Sequence, residues 1–312
     1  MNALIELLTN NAVVFYGVVA FLGLFVGSFL NVVIHRLPMM MERSWKQNLI
    51  EFERQQGWEA EGIDLNDPEA FAAAMERDPL PEPEKFNLSV PRSRCPNCGN
   101  LITWWQNVPV LSYLALRGRC GGCKTPISAR YPAIELITMV LSLFIAWHFG
   151  PSAQAVVGIL FTWALVALTM IDFDHQLLPD SITLPLMWFG LLVNLGNVFT
   201  DIQSAVIGAA LGYLILWGVF HLFKLITGKE GMGYGDFKLL AAIGALLGWQ
   251  VLPMVILLSS LVGAVVGVAI IVISGRDKNI PIPFGPYLAA AAWIAMIWGD
   301  PITNAYFNLL GG

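Results

Sequence analysis

The sequence predicts an all-α polytopic membrane protein of about eight transmembrane helices with a small cytoplasmic module that carries the cysteines, and three observations lead there. The 312 residues are 56% hydrophobic and 12% charged, whereas soluble domains carry about 25% charged residues. The mean hydropathy is +0.66, and the apolar residues gather into blocks, most of them about 16 to 24 residues long, enough to cross a hydrocarbon core about 30 Å thick. All four cysteines fall within one stretch, Cys95 to Cys123. The net charge is −5, and no basic patch interleaved with aromatics is present to track phosphates, so membrane lipid and not nucleic acid is the expected partner.

In chain order the apolar blocks run over residues 13–34, 133–149, 154–171, 182–199, 204–223, 237–249, 251–274 and 284–299, each bounded by Gly, Pro or charged residues. Before the first block Glu6 is the sole charge and no Lys or Arg occurs, so the block lacks the positive flank of a cleaved signal and is expected to remain as a span. With the N-terminus outside, every one of the 17 Lys and Arg residues lies at or beside a cytoplasmic end, an unmixed positive-inside pattern. The expected setting is a cytoplasmic membrane crossed several times, with a periplasmic N-terminus and a cytoplasmic cysteine module.

Residues 1–34 are thus read as the first span, 35–132 as a cytoplasmic loop and 133–312 as the membrane core. The loop balances 12 basic against 12 acidic residues. Within it, Asn66-Asp67-Pro68-Glu69 reads as a helix start in a solvated helical hairpin over residues 42–78. Pro79, Pro81, Pro83 and Pro91 follow as an extended linker.

Cys95-Pro96-Asn97-Cys98 and Cys120-Gly121-Gly122-Cys123 form two C-x2-C turns separated by 21 residues. Each turn presents two thiolates to one ion, and two turns complete a closed tetrahedron with no open position. Structural zinc on Cys95, Cys98, Cys120 and Cys123 is therefore expected; two disulfides do not suit a reducing compartment. The apolar residues between the turns, among them Trp104, Trp105, Leu111 and Leu114, suggest a module resting on the membrane face.

Charged groups inside spans are costly, which singles out two acidic places. The third span ends in Asp172-Phe173-Asp174-His175, followed by Leu178-Pro179-Asp180, and the sixth begins Gly233-Tyr234-Gly235-Asp236. Phe237 to Trp249 is 13 residues, about 20 Å of helix, so a segment reaching the outer interface draws Asp236 below the inner one. Two carboxylates within reach of each other share one proton; one then activates water while the other polarises a peptide carbonyl, which is aspartic protease chemistry. Asp172 and Asp174 lie about 200° apart on a helix and cannot face one partner. Asp180 reads as the N-cap of the fourth span and Glu135 as a first-turn partner of the second helix's dipole.

These features together resemble the bacterial type IV prepilin peptidases, membrane aspartic proteases with a Gly-x-Gly-Asp motif that also act as N-methyltransferases. The resemblance is carried by Gly27 to Pro38, the paired C-x2-C turns, Ser128 to Pro132, Asp172 to Asp180 and Gly233 to Lys238. It implies a catalytic dyad of Asp172 and Asp236, choosing Asp172 over Asp174, in an aspartic peptidase core over residues 133–312. It further implies cleavage of the basic leaders of prepilins and type II secretion pseudopilins on the cytoplasmic side, then methylation of the new N-terminus with S-adenosylmethionine, to which Gly118 is a candidate contributor. Two other readings fit part of the pattern. An intramembrane cation transporter would call for acids nearer mid-span and an inverted repeat, and a non-catalytic secretion-assembly protein would leave both aspartates replaceable.

Overall fold

The computed structural model describes residues 10–77, 85–229, 231–274 and 283–309. The proline linker expected at residues 79–83 and most of the connection at 275–283 lie outside them. Ten helices are described: α1 (Ala12–Ala60), α2 (Pro68–Arg77), α3 (Leu111–Ala115), α4 (Arg130–Phe149), α5 (Ala153–His175), α6 (Asp180–Val193), α7 (Ile202–Thr227), α8 (Tyr234–Leu247), α9 (Leu252–Ser274) and α10 (Gly285–Leu309). Among the described residues there is no strand, only the isolated bridges Arg94 to Leu101 and Arg119 to Pro126. The chain divides into two compact units, one comprising Met1–Ile34 with Thr103–Gly312, the other His35–Ile102.

A helix covers each predicted apolar block, but eight crossings are not confirmed. Among the described residues, five segments are long and apolar enough to cross a membrane: α1, α4, α5, α7 and Trp249–Ile270. The apolar helices at Asp180–Gly196 and Gly285–Gly299 are shorter, and α8 has 14 residues, about 21 Å at 1.5 Å per residue against a core of about 30 Å. The helix that carries the first apolar block, α1, continues past residue 34, through Pro38, to Ala60. Pro38 removes one donor from the helix ladder, yet the following Met39, Met40, Met41, Glu42 and Arg43 are good helix formers and carry it on.

In the first unit the core lies around α8. Phe237, Leu239, Leu240, Ala242, Ile243 and Ala245 are fully buried on every side of this helix, as expected of a helix apolar all round. Glycines let its neighbours approach backbone to backbone: a Cβ on Gly212 of α7 would stand 2.5 Å from the Leu240 carbonyl oxygen, and one on Gly190 of α6 would stand 2.8 Å from the Leu246 nitrogen. Asn194, completely buried, closes the far end of α8. Its amide donates to the carbonyls of Ala245 (3.0 Å) and Leu246 (2.8 Å), and its oxygen accepts from the N–H groups of Phe199 (3.0 Å) and Thr200 (3.2 Å). Two terminal carbonyls that α8 cannot pair internally are thereby satisfied. Side-chain caps start the flanking helices, Ser152 for α5 and Asp201 for α7.

In the second unit, the part of α1 that follows Ile34 and α2 form the expected helical pair. Trp58 is buried, edge-on to Phe71 and under the Arg54 guanidinium. The buried Arg36 donates to the carbonyls of Asn87, Leu88 and Pro91 at 3.0, 3.3 and 2.7 Å, which holds the chain ahead of the first cysteine turn.

Candidate active site

Helical spacing decides where the first acid goes. Leu165, Leu168 and Ile171 mark the buried face of α5, and Asp172, 5% exposed, continues it. Asp174 points elsewhere and pairs with Arg130 of α4, Nη1 to Oδ1 at 2.8 Å, as the 200° separation requires. Asp236 lies in the first turn of α8 and is 7% exposed. Around it Phe220, Tyr234 and Phe237 form an aromatic cluster with ring centroids 5.3 to 5.7 Å apart. Asp172 and Asp236 are thus two buried acids from two separate helices.

The surroundings of the pair are built from glycine and leucine. Leu178 lies against Gly235, where a Cβ would come within 2.7 Å of the Leu178 Cβ, and against Gly285, where a Cβ would come within 3.1 Å of its Cδ2. Gly285 opens α10 and donates its N–H to Oδ2 of Asp172 at 2.9 Å, so the positive end of that helix faces the carboxyl. Sequence reasoning missed Gly285. The available signal was its place between Phe284 and Pro286 just ahead of an apolar run, which marks a helix start.

Two other acids occupy positions different from those expected. Pro179, not Asp180, is the cap residue of α6; the Asp180 carboxyl instead receives Lys238 at 2.7 Å on both oxygens, tying α6 to α8 beside Asp236. Glu135 lies in the second turn of α4, since that helix begins at Arg130. Its buried carboxyl accepts the Val110 N–H at 2.7 Å and is therefore no first-turn dipole partner. Val110 has φ 56° and ψ −48°, a strained conformation for a β-branched residue. Gly118 takes φ 65°, a left-handed turn suited to glycine; its N–H donates to the Tyr113 carbonyl at 2.8 Å, and a Cβ there would stand 2.9 Å from the Tyr113 hydroxyl.

The two cysteine turns have the same local build. Gly99 N–H returns to the Cys95 carbonyl and Cys95 N–H bonds the Asn100 carbonyl; Lys124 N–H returns to the Cys120 carbonyl and Cys120 N–H bonds the Thr125 carbonyl. Among the described residues, Cys95, Cys98, Cys120 and Cys123 form a group that could hold a metal ion, each offering one sulfur. Four thiol donors in two such turns suit zinc.

Chemically, a pair of buried carboxyl groups that cannot both ionise cheaply is a proton-sharing device. One member can take a proton from water while the other donates a hydrogen bond to a carbonyl oxygen.

Comparison with known proteins places this geometry in context. Residues 21–149 match the bacterial peptidase A24 N-terminal domain, and residues 159–268 match the type IV leader peptidase family. A prepilin leader peptidase/N-methyltransferase of Stutzerimonas stutzeri is 52% identical over 304 residues, covering 97% of this chain and 98% of that protein. Proteins of the same description from Pseudomonas aeruginosa and Aeromonas hydrophila are 50% and 52% identical over 308 residues, each covering 99% of both chains. No solved structure matches the chain.

Proposed function

This chain belongs to the type IV leader peptidase family, and we propose that Asp172 and Asp236 are the dyad with which it cuts prepilin leaders. The chain is an enzyme of prepilin cleavage and N-methylation, and its apolar helices make it a multi-pass inner-membrane protein. The observation that carries the dyad is the burial of both acids around Leu178, which packs against Gly235, next to Asp236, and against Gly285, the donor to Asp172.

In the proposed reaction the ionised member of the pair removes a proton from water as the water oxygen attacks the scissile carbonyl carbon. The protonated member hydrogen-bonds the carbonyl oxygen, and the C–N bond then breaks with the amine taking a proton. The Gly285 N–H holds Asp172 in one orientation throughout. Substrates are the basic leaders of prepilins and type II pseudopilins, cut on the cytoplasmic side. The confinement of Lys and Arg to one set of loops supports a periplasmic N-terminus and a cytoplasmic cysteine module.

Zinc on Cys95, Cys98, Cys120 and Cys123 would hold the module folded and, with its coordination closed, would take no part in hydrolysis. S-adenosylmethionine is the methyl source in this reading, and Gly118 with its Tyr113-backed turn is proposed to contribute to its binding; Gly118→Ala should impair methylation more than cleavage.

The experiment is cleavage of a synthetic prepilin by purified protein. Asp172→Asn and Asp236→Asn should each stop it while the helical content is unchanged. Full cleavage by either variant would support a non-catalytic assembly role instead, and aspartate-dependent cation flux without cleavage would support a transporter.

A further inference from the structure

An apolar cavity of about 430 Å3 has walls from α7, α9, the start of α10 and the loop leading into α8. Its apolar lining includes Val219, Met232, Ala264 and Phe284, and its polar groups include the Ser260 hydroxyl and the Tyr287 phenol. Two of these residues belong to the segments that set the acids. Met232 stands four positions before Asp236, and Phe284 precedes Gly285, the donor to Asp172. Val219, another lining residue, is 51% exposed and lies on a helix long and apolar enough to cross the membrane. Gly263 leaves room for this arrangement: a Cβ there would stand 3.2 Å from the Tyr287 ring.

We propose that this cavity is the subsite for the first apolar residues following the cleaved bond of the prepilin, which enter it laterally from lipid. The inference rests on the peptidase reading above. Its physical basis is that a peptide bond within a helix has its carbonyl engaged and its faces covered, so the chain at the cut must be extended. Side chains released from the substrate's own helix then need apolar surroundings within a residue or two of the dyad. The cavity has the volume of an ordinary ligand pocket, about 300–1,000 Å3, and its lining includes Phe284, the residue before the Asp172 donor Gly285. A lipid chain would satisfy the apolar walls equally but gives no reason for Phe284, the neighbour of Gly285, to be among them.

The test is photocrosslinking in lipid vesicles. A prepilin carrying benzoylphenylalanine at the third to fifth position after the cut is bound to full-length Asp236→Asn protein, and the adducts are mapped by mass spectrometry. Adducts on Met232 or on the α9 peptide containing Ala264 are the expected result; adducts confined to α1 and α4, or to lipid, overturn the proposal. Independently, Ala264→Trp fills the cavity. It should lower kcat/KM for whole prepilin about tenfold relative to a short peptide that ends two residues after the cut, chiefly through KM. An unchanged ratio between the two substrates overturns the subsite. Failure of the unaltered protein to cut either substrate would instead overturn the peptidase reading itself.

Discussion

Gly285 and Asp172, 113 residues apart in sequence, are joined by an N–H to Oδ2 hydrogen bond of 2.9 Å, and a Cβ on that glycine would stand 2.6 Å from the same oxygen. The bond and the missing side chain act together: the backbone can come close enough to orient the carboxyl only because nothing projects from it. Gly285→Ala should therefore push Asp172 aside. A displacement near 1 Å in a catalytic group costs about a hundredfold in rate, so kcat for prepilin should fall by about that factor with KM little changed. Unaltered kcat would show that Asp172 needs no such positioning.

Asn194 gives the opposite kind of variant, far from the chemistry and important for stability. Its four hydrogen bonds at the end of α8 cannot be replaced by an apolar side chain, and buried groups left unpaired cost about 1–3 kcal/mol each. Asn194→Leu should lower unfolding stability by about 2–4 kcal/mol, read as a fall in Tm in detergent, while protein that remains folded keeps its cleavage rate.

At Val110 a stabilising substitution is expected. A β-branched residue at φ 56° carries strain of about 1–3 kcal/mol, which Val110→Gly relieves while keeping the N–H bonded to Glu135. Because glycine also loses more backbone entropy on folding, the net gain should be about 1 kcal/mol. Glu135→Ala leaves that N–H without its acceptor and should shift Tm downward. Thermal unfolding of the two variants side by side gives the comparison.

The cysteine module should depend on metal. Purified protein is expected to contain stoichiometric zinc, and Cys98→Ser should lose it and speed hydrogen exchange in both turns, since four thiolates supply much of the folding energy in so small a region. Zinc-free protein with unchanged exchange would remove the metal from the account.

The helices around the site were legible because each apolar block is sharply bounded, and 3.6-residue spacing required that Asp172 and Asp174 face different ways, while only the family resemblance chose Asp172 as the inward one. The two cysteine turns were equally legible, since C-x2-C geometry is local. What escaped was set by distant partners. Asp180 looks like a cap until Lys238 is brought beside it, Glu135 looks like a dipole partner until Val110 folds over it, and Gly285 and Asn194 carry no chemistry in isolation. The first apolar block ends at residue 34, yet α1 runs on through Pro38 because the strong helix formers around it outweigh one missing donor. Eight crossings are not confirmed because an apolar run of 13 or 14 residues surrounded by other helices has the composition of a span without its length.

The most direct measurement is the cleavage rate of a synthetic prepilin in lipid vesicles by the unaltered protein, Asp172→Asn, Asp236→Asn and the double variant. Each single substitution is expected to abolish cleavage as fully as both together, because the two acids act as one proton-sharing unit. Substantial cleavage by either single variant would contradict the dyad.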